Sequence, residues 1–309
     1  LMRIVFMGTP GYAVQSLEAL VENGYDVAGV FTQPDKPRGR GGKVQMPEAK
    51  VYANSRGIPV FQPRKIRADG VDALKALAPD LCVTAAFGQI LSQEILDIPK
   101  FGTINVHASL LPKYRGSSPI NWCLINGETV TGVTTMLTAA GIDTGDILLQ
   151  RETGISPLET AGELTGRLGA MGAELLIDTI RALEAGRLSP IRQDESVMSY
   201  YPMLHKEMGE IDWTQSARSI SNLVRGLNPW PGAYTDTARH GRLKLLLASA
   251  EAGESAAPGT VLEADRKKGL LIQAGEGAVR VHTLQAQGGK AMKASDYLLG
   301  HPITTGEGL

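Results

Sequence analysis

Along the first third of the chain, short apolar runs alternate with amphipathic stretches. RIVFMG (residues 3–8) is almost unbroken apolar sequence, the pattern of a strand buried on both faces. Residues 11–22 place Ala13, Leu17, Leu20 and Val21 at helical spacing, and residues 26–32 read as a second strand. This strand, helix, strand opening predicts an α/β fold built on a doubly wound parallel sheet. The alternation continues with helices at 48–55 and 70–77, strands at 59–61, 80–86 and 101–106, and a helix near 119–125. Strands at 131–137 and 147–152 follow, and residues 157–185 carry helical spacing through Leu158, Leu164, Leu168, Met171, Leu175 and Ile180.

Residues 187–204 break the pattern: they are polar, interrupted by Pro190 and without a period, as expected of a linker. Beyond them one amphipathic helix is predicted over 214–226, with Thr214 as its cap. The remainder is short and β-like, at 233–237, 243–250, 259–264, 269–273 and 278–284, most runs being split by glycine turns. Five such strands at regular spacing predict a small β-barrel of the oligonucleotide-binding (OB) type. The expected division is an α/β domain over 1–186, a linker over 187–204 and a barrel domain over 205–309.

A chain of 309 residues has room for two such cores, and 43% hydrophobic with 20% charged residues is ordinary globular composition. No run approaches the roughly 18 apolar residues of a membrane span. The opening, LMRIVFMGTPGY, shows no charged leader or cleavage site, so no membrane or targeting segment is expected. Two cysteines, Cys82 and Cys123, lie in apolar surroundings and read as buried free thiols of a cytoplasmic protein.

Charge changes the picture only through its distribution. The net value is −1, yet residues 31–67 hold nine Lys/Arg against Asp35 and Glu48. That excess is a footprint for a polyanion. Its densest part is QPDKPRGRGGKVQMP (33–47), with three glycines, three prolines and Lys36, Arg38, Arg40 and Lys43. No regular element is expected there, and four like charges should keep Lys36–Lys43 disordered until a polyanion neutralises them. From His205 onward, 12 basic residues face 11 acidic ones, so that surface is mixed.

Candidate chemistry gathers after the strand at 101–106. Asn105 and His107 share the i, i+2 spacing that turns both side chains to one face near the strand's carboxyl end, where α/β sheets bind ligands. An amide donor beside an imidazole suits carbonyl chemistry. LLPKYRG then supplies a proline, a glycine and two cations, as a ligand-binding loop would. Asp143, in the turn GIDTGD, is the third member. Gly141 and Gly145 ease its approach to a neighbouring strand, where a carboxylate beside His107 would hold a proton or a water in place. Such a set suits acyl transfer from nitrogen to nitrogen. The turn GTPGY matches neither the dinucleotide nor the ATP phosphate-binding pattern, and no G-x-S-x-G occurs. No third His or Cys sits at ligand spacing, so no metal is expected.

Asn105, His107, SLLPKYRG (109–116) and Asp143, in that order, resemble the folate-dependent formyltransferases. The turn at 8–10, the loop FTQPDKPRGRGGK, LNPWPGAY (227–234) and GKAM (289–292) resemble more narrowly the members that act on initiator methionyl-tRNA. Ala108 departs mildly, standing where that pattern has glycine. The resemblance implies a Rossmann-like catalytic domain followed by a tRNA-contacting OB barrel, and formyl transfer from 10-formyltetrahydrofolate to the methionyl α-amino group at translation initiation. It implies catalytic roles for Asn105, His107 and Asp143. A folate site would be formed by Ser109, Leu110, Leu111 and Pro112, with Gln89, Ile90, Leu91 and Gly141. Tyr12 would lie near the methionyl side chain, Arg40 would engage the acceptor stem, and Lys36, Arg38 and Lys43 would join it. A monomer is expected. Rival readings are formylation of a sugar or other small-molecule amine, deformylation with water as acceptor, and a non-enzymatic RNA-binding module.

Overall fold

The computed structural model describes residues 2–38 and 42–309. Two compact units form. The first takes residues 1–119, 131–153 and 165–202; the second takes 120–130, 154–164 and 203–309.

In chain order the first elements are β1 (Arg3–Gly8), α1 (Gly11–Glu22), β2 (Asp26–Phe31), β3 (Lys36–Arg38), β4 (Lys43–Gln45) and α2 (Glu48–Ser55). Next come β5 (Val60–Phe61), α3 (Val71–Leu77), β6 (Leu81–Ala85), α4 (Gln93–Leu96) and β7 (Thr103–His107). They are followed by β8 (Arg115–Gly116), α5 (Pro119–Ile125), β9 (Val130–Leu137), β10 (Ile147–Gly154), α6 (Ala161–Glu184) and β11 (Tyr200–Tyr201). The main sheet runs β10-β9-β7-β6-β1-β2-β5. Ladders among β5, β2, β1, β6 and β7 are parallel, as the alternating pattern predicts. The sheet is nevertheless only mostly parallel, because β9 runs antiparallel to β7.

On β1, Ile4 and Phe6 join a core with Leu17, Val83, Val106, Leu176 and Ile180, while Val5 and Met7 join a second core with Phe31, Leu74, Cys82 and Ile95. The period of two thus fills both faces, which explains the unbroken apolar run. Both cysteines are buried and free. Burial pushes the Cys82 thiol up to about 12, which leaves it inert.

Three local expectations need correction. The stretch 33–47 is not wholly irregular: β3 and β4 pair antiparallel, Pro37 lying opposite Val44. A two-stranded ribbon has only edges, so a proline can turn its missing donor outward. The long helix begins at Ala161, not near 157, because Thr160 and Glu163 form a reciprocal cap there. The expected helix at 214–226 begins at Ala217 with Ser216 as its cap, since Asp212 accepts from both the amide and the hydroxyl of Thr214. Residues 187–202 lie within the first unit: Ile191 bridges Ile147, and β11 pairs with β8.

In the second unit, α7 (Ala217–Gly226) precedes β12 (Ala233–Thr237), β13 (Gly241–Glu251), β14 (Val261–Asp265), β15 (Gly269–Gln273), β16 (Ala278–Ala286), β17 (Ala291–Lys293) and α8 (Ala294–Gly300). The strands form an antiparallel sheet ordered β12-β13-β16-β15-β14, with β17 also on β16. Ile220 and Val224 of α7 pack on Leu243, Leu245, Val279 and Val281. Among the described residues no ladder joins β12 to β14, and both outer edges are covered. Ile211 donates to Tyr234 of β12, while along β14 Val261 donates to Glu307 and accepts from Gly306 of the C-terminal segment.

Candidate active site

Asn105 and His107 project from β7 as the strand spacing requires, and neighbouring β6 fixes the first of them. Thr84 lies opposite Asn105 in the ladder, and its hydroxyl donates to Asn105 Oδ1 at 3.0 Å. The carbonyl oxygen being engaged, the amide nitrogen is the end left to donate. His107 is buried, and its Nε2 lies 2.9 Å from the Tyr114 carbonyl. A carbonyl only accepts, so Nε2 carries the hydrogen, and Nδ1 is the nitrogen turned toward Asp143.

Asp143 arrives from an unexpected direction. Because β9 is antiparallel, its last residue, Leu137, lies opposite Ile104, toward the start of β7. Residues 138–146 fold back to bring Asp143 Oδ1 within 3.7 Å of His107 Nδ1. The other oxygen, Oδ2, accepts from the Gly116 amide at 2.8 Å. The fold-back is sterically exacting: a Cβ on Gly145 would run into the Leu137 carbonyl, and Asp143 itself sits at φ 52°. Gln193 holds that turn by donating to the carbonyls of Asp143 and Gly145, each at 2.7 Å. Arg115, also buried, donates to Gln193 and to Glu195. That contact holds the Glu195 carboxyl below its ordinary range.

The loop after β7 is knitted to β9. Thr134 Oγ1 donates to the Ser109 carbonyl and accepts from the amide of Leu111, while Ser109 Oγ donates to the Lys113 carbonyl. Tyr114 donates its amide to Ser199 Oγ and stacks on Tyr201 at 5.0 Å. Across the first unit, Gln33 donates to the carbonyls of Phe87 and Gly88, and Lys50 joins Asp35 and Gln62. Hydrogen bonds from Gln62 and Lys50 hold the Asp35 carboxyl below its usual range.

Of the predicted site residues, Asn105, His107 and Asp143 converge. Pro112 and half-buried Leu110 lie in the adjoining loop, and Gly141 lies on the exposed turn. Leu111 is buried against Met136 and Ile147, and Leu91 lies in the core with Phe87 and Ile95, so only their backbones are available. The side chain of Gln89 accepts from Ile66 and donates to Pro63. Ile90 and Ile142 are large apolar side chains left in solvent on the loops that carry Gln89 and Asp143. Tyr12 directs its hydroxyl to the Val106 carbonyl between the two β7 site residues, and burial pushes its phenol up, keeping it protonated. Lys36 and Lys43 are exposed on the hairpin; Arg40 lies outside the described residues. No period or motif marks Thr84 or Gln193, and Arg115, one of the two cations of LLPKYRG, is turned inward to Gln193 and Glu195. Among the described residues, no three His, Cys, Asp or Glu side chains gather as a metal site, and no helix is long and apolar enough to cross a membrane.

The family model described as "Formyl transferase" matches residues 2–180, and "Formyl transferase, C-terminal domain" matches 203–302. The chain belongs to the formyl transferase family. Among similar family members is the methionyl-tRNA formyltransferase of Geobacter metallireducens, 50% identical over 306 residues, covering 99% of this chain and 97% of that protein. The methionyl-tRNA formyltransferase of Acetivibrio thermocellus is 49% identical over 309 residues, covering 99% of both. A solved N-formyltransferase from Helicobacter canadensis, in complex with folinic acid and dTDP-3-aminofucose, shares the formyl transferase fold. It has a TM-score of 0.68 at 20% identity, covering 91% of this chain and 99% of that one.

Proposed function

We propose that this chain transfers a formyl group from 10-formyltetrahydrofolate to the α-amino group of initiator methionyl-tRNA, without a covalent enzyme intermediate. The observation that carries the reading is 50% identity, over nearly the whole chain, to a relative of that activity, joined to a converged Asn105, His107 and Asp143. The folate would lie along 109–112, with the backbone of 89–91 and 141–143. The exposed Ile90 and Ile142 and the open Gly141 turn fit a flat, partly apolar ring there. It supplies an activated formyl carbon and a leaving nitrogen that takes up a proton.

The chain's own residues do the rest. The Asn105 amide donates to the formyl oxygen as it becomes an oxyanion; such a donor is worth roughly 3 kcal/mol. His107 presents Nδ1, the nitrogen able to exchange a proton, while Nε2 stays anchored on Tyr114. Asp143 stabilises the charged imidazole and guides the proton lost by the amine. Positioned donors supply the polarisation, so no metal enters the scheme. Lys36, Arg38, Arg40 and Lys43 would contact tRNA phosphates, and Tyr12 would back the methionyl side.

In the second unit Lys206, Arg242 and Lys244 line a hollow of about 500 Å³ with Trp230, Tyr234 and one acid, Glu207; three cations against one acid beside two rings suit RNA. An OB-type relationship of that sheet accords with the same partner. On this reading residues 1–186 carry the catalytic side chains, 205–309 contact tRNA, and the protein works as a cytoplasmic monomer.

Labelled 10-formyltetrahydrofolate, offered with charged initiator tRNA or with a nucleotide-linked amino sugar, tests the reading. Label appearing on the methionyl amine is expected. Label appearing only on the sugar would replace this function with the small-molecule one.

A further inference from the structure

We infer that Gln193 is a positioning residue for formyl transfer, holding Asp143 in the backbone conformation that aims its carboxylate at His107. The inference rests on the role given to Asp143 above. At φ 52°, Asp143 sits in the left-handed region, which aspartate visits more readily than most residues but still at a cost, so contacts from outside the turn help to hold it there. Its side chain is tied through Oδ2 to the Gly116 amide, which leaves the backbone to be fixed separately. Gln193 does so with bonds of 2.7 Å to the carbonyls on either side of Thr144.

The orientation of the Gln193 amide is determined by its partners. Both carbonyls accept only, so they face Nε2. Arg115 Nε and Nη2 donate only, so they face Oε1, at 3.0 and 2.8 Å. A flipped amide would set oxygen against two carbonyls and nitrogen against a guanidinium. Arg115 is in turn held by two bonds to Glu195. Gln193 and Arg115 are 4% and 3% exposed, so water does not substitute for either partner. A linked series runs from Glu195 through Arg115 and Gln193 to the Asp143 backbone, and it ends at His107 Nδ1.

The test uses the full chain, 10-formyltetrahydrofolate and charged initiator tRNA, with single-turnover rates. Gln193→Leu removes both donors. Gln193→Glu keeps the size but sets a carboxylate oxygen against two carbonyls, and it serves if the leucine variant does not fold. Thermal unfolding and folate affinity establish that each variant is native. A misplacement of about 1 Å costs on the order of 10²-fold in rate, so a loss of that size is expected with KM for both substrates little changed. The deciding comparison is the double variant. If Gln193 acts through Asp143, then Asp143→Asn/Gln193→Leu is no slower than Asp143→Asn alone, and Gln193→Leu takes on the pH profile of Asp143→Asn. Losses that multiply, or a native Gln193→Leu within threefold of wild type, would overturn the inference. Normal turnover by Asp143→Asn would instead remove the catalytic reading of Asp143, and this inference with it.

Discussion

Replacing Asp143 by asparagine isolates charge from geometry. The new amide oxygen can still accept from the Gly116 N–H, and the backbone carbonyl still receives Gln193, so the turn should survive. What disappears is a negative charge 3.7 Å from His107 Nδ1. At an effective dielectric of about 20, a full charge pair at that distance is worth about 4 kcal/mol. The amide dipole restores part of this, leaving a loss of about 3 kcal/mol for any state in which the imidazole is charged. At about 1.4 kcal/mol per decade, transfer should slow on the order of 10²-fold, within the span expected of general acid–base groups. Single-turnover transfer to charged initiator tRNA is the assay, since product release can mask chemistry in the steady state. Folate affinity should stay within a factor of about two, because the loss belongs to the transition state. Turnover within threefold of wild type, in a protein of native stability, would refute the proton-handling role.

Gly116→Ala should disturb both stability and rate. Its φ of 111° and a Cβ that would strike the Tyr201 carbonyl combine strain and overpacking of about 2–5 kcal/mol; calorimetry showing an unchanged first-unit transition would refute this. Lys36→Ala and Lys43→Ala should each flatten the salt dependence of tRNA binding by about one unit for every phosphate left without its cation, with folate binding unaltered; unchanged slopes would release the hairpin from tRNA. Asp35 has a depressed folded value, so its contribution to stability is present above the unfolded carboxylate value, near pH 4, and is lost as pH falls through the lower folded value. Asp35→Asn should therefore lower the melting temperature at pH 7 by more than at pH 3.5, and an equal difference at both would contradict the assignment.

The strands of the first unit were legible because a sheet buried on both faces demands runs such as RIVFMG, and few other environments do. Asn105 and His107 were legible for the same reason: a two-residue spacing on a strand fixes a shared face. Thr84 was not, because its partnership with Asn105 depends on the β6–β7 register. Gln193 lies 50 residues from Asp143, in a polar stretch whose one buried amide leaves no periodic trace. Thr214 is not the cap because Asp212 captures its amide and hydroxyl, a local turn that leaves the capping to Ser216. The pairing of Lys36–Arg38 with Lys43–Gln45 was hidden by the glycines and prolines of 33–47, which argue against strands generally but tolerate a ribbon with two free edges.

The short β8–β11 ladder bears on how far this chain can be divided. A fragment ending at residue 186 would keep the main sheet and all three residues proposed for catalysis. It would lack Gln193 under the Asp143 turn, the acceptors of Arg115, the Ser199 hydroxyl on the Tyr114 amide and the Tyr201 ring stacked on Tyr114. A buried guanidinium would be left without an anion, and a left-handed aspartate without its clamp. A cut after Pro202 rather than after residue 186 would keep these contacts together, and residues that look like spacer in the sequence pack within the unit they follow.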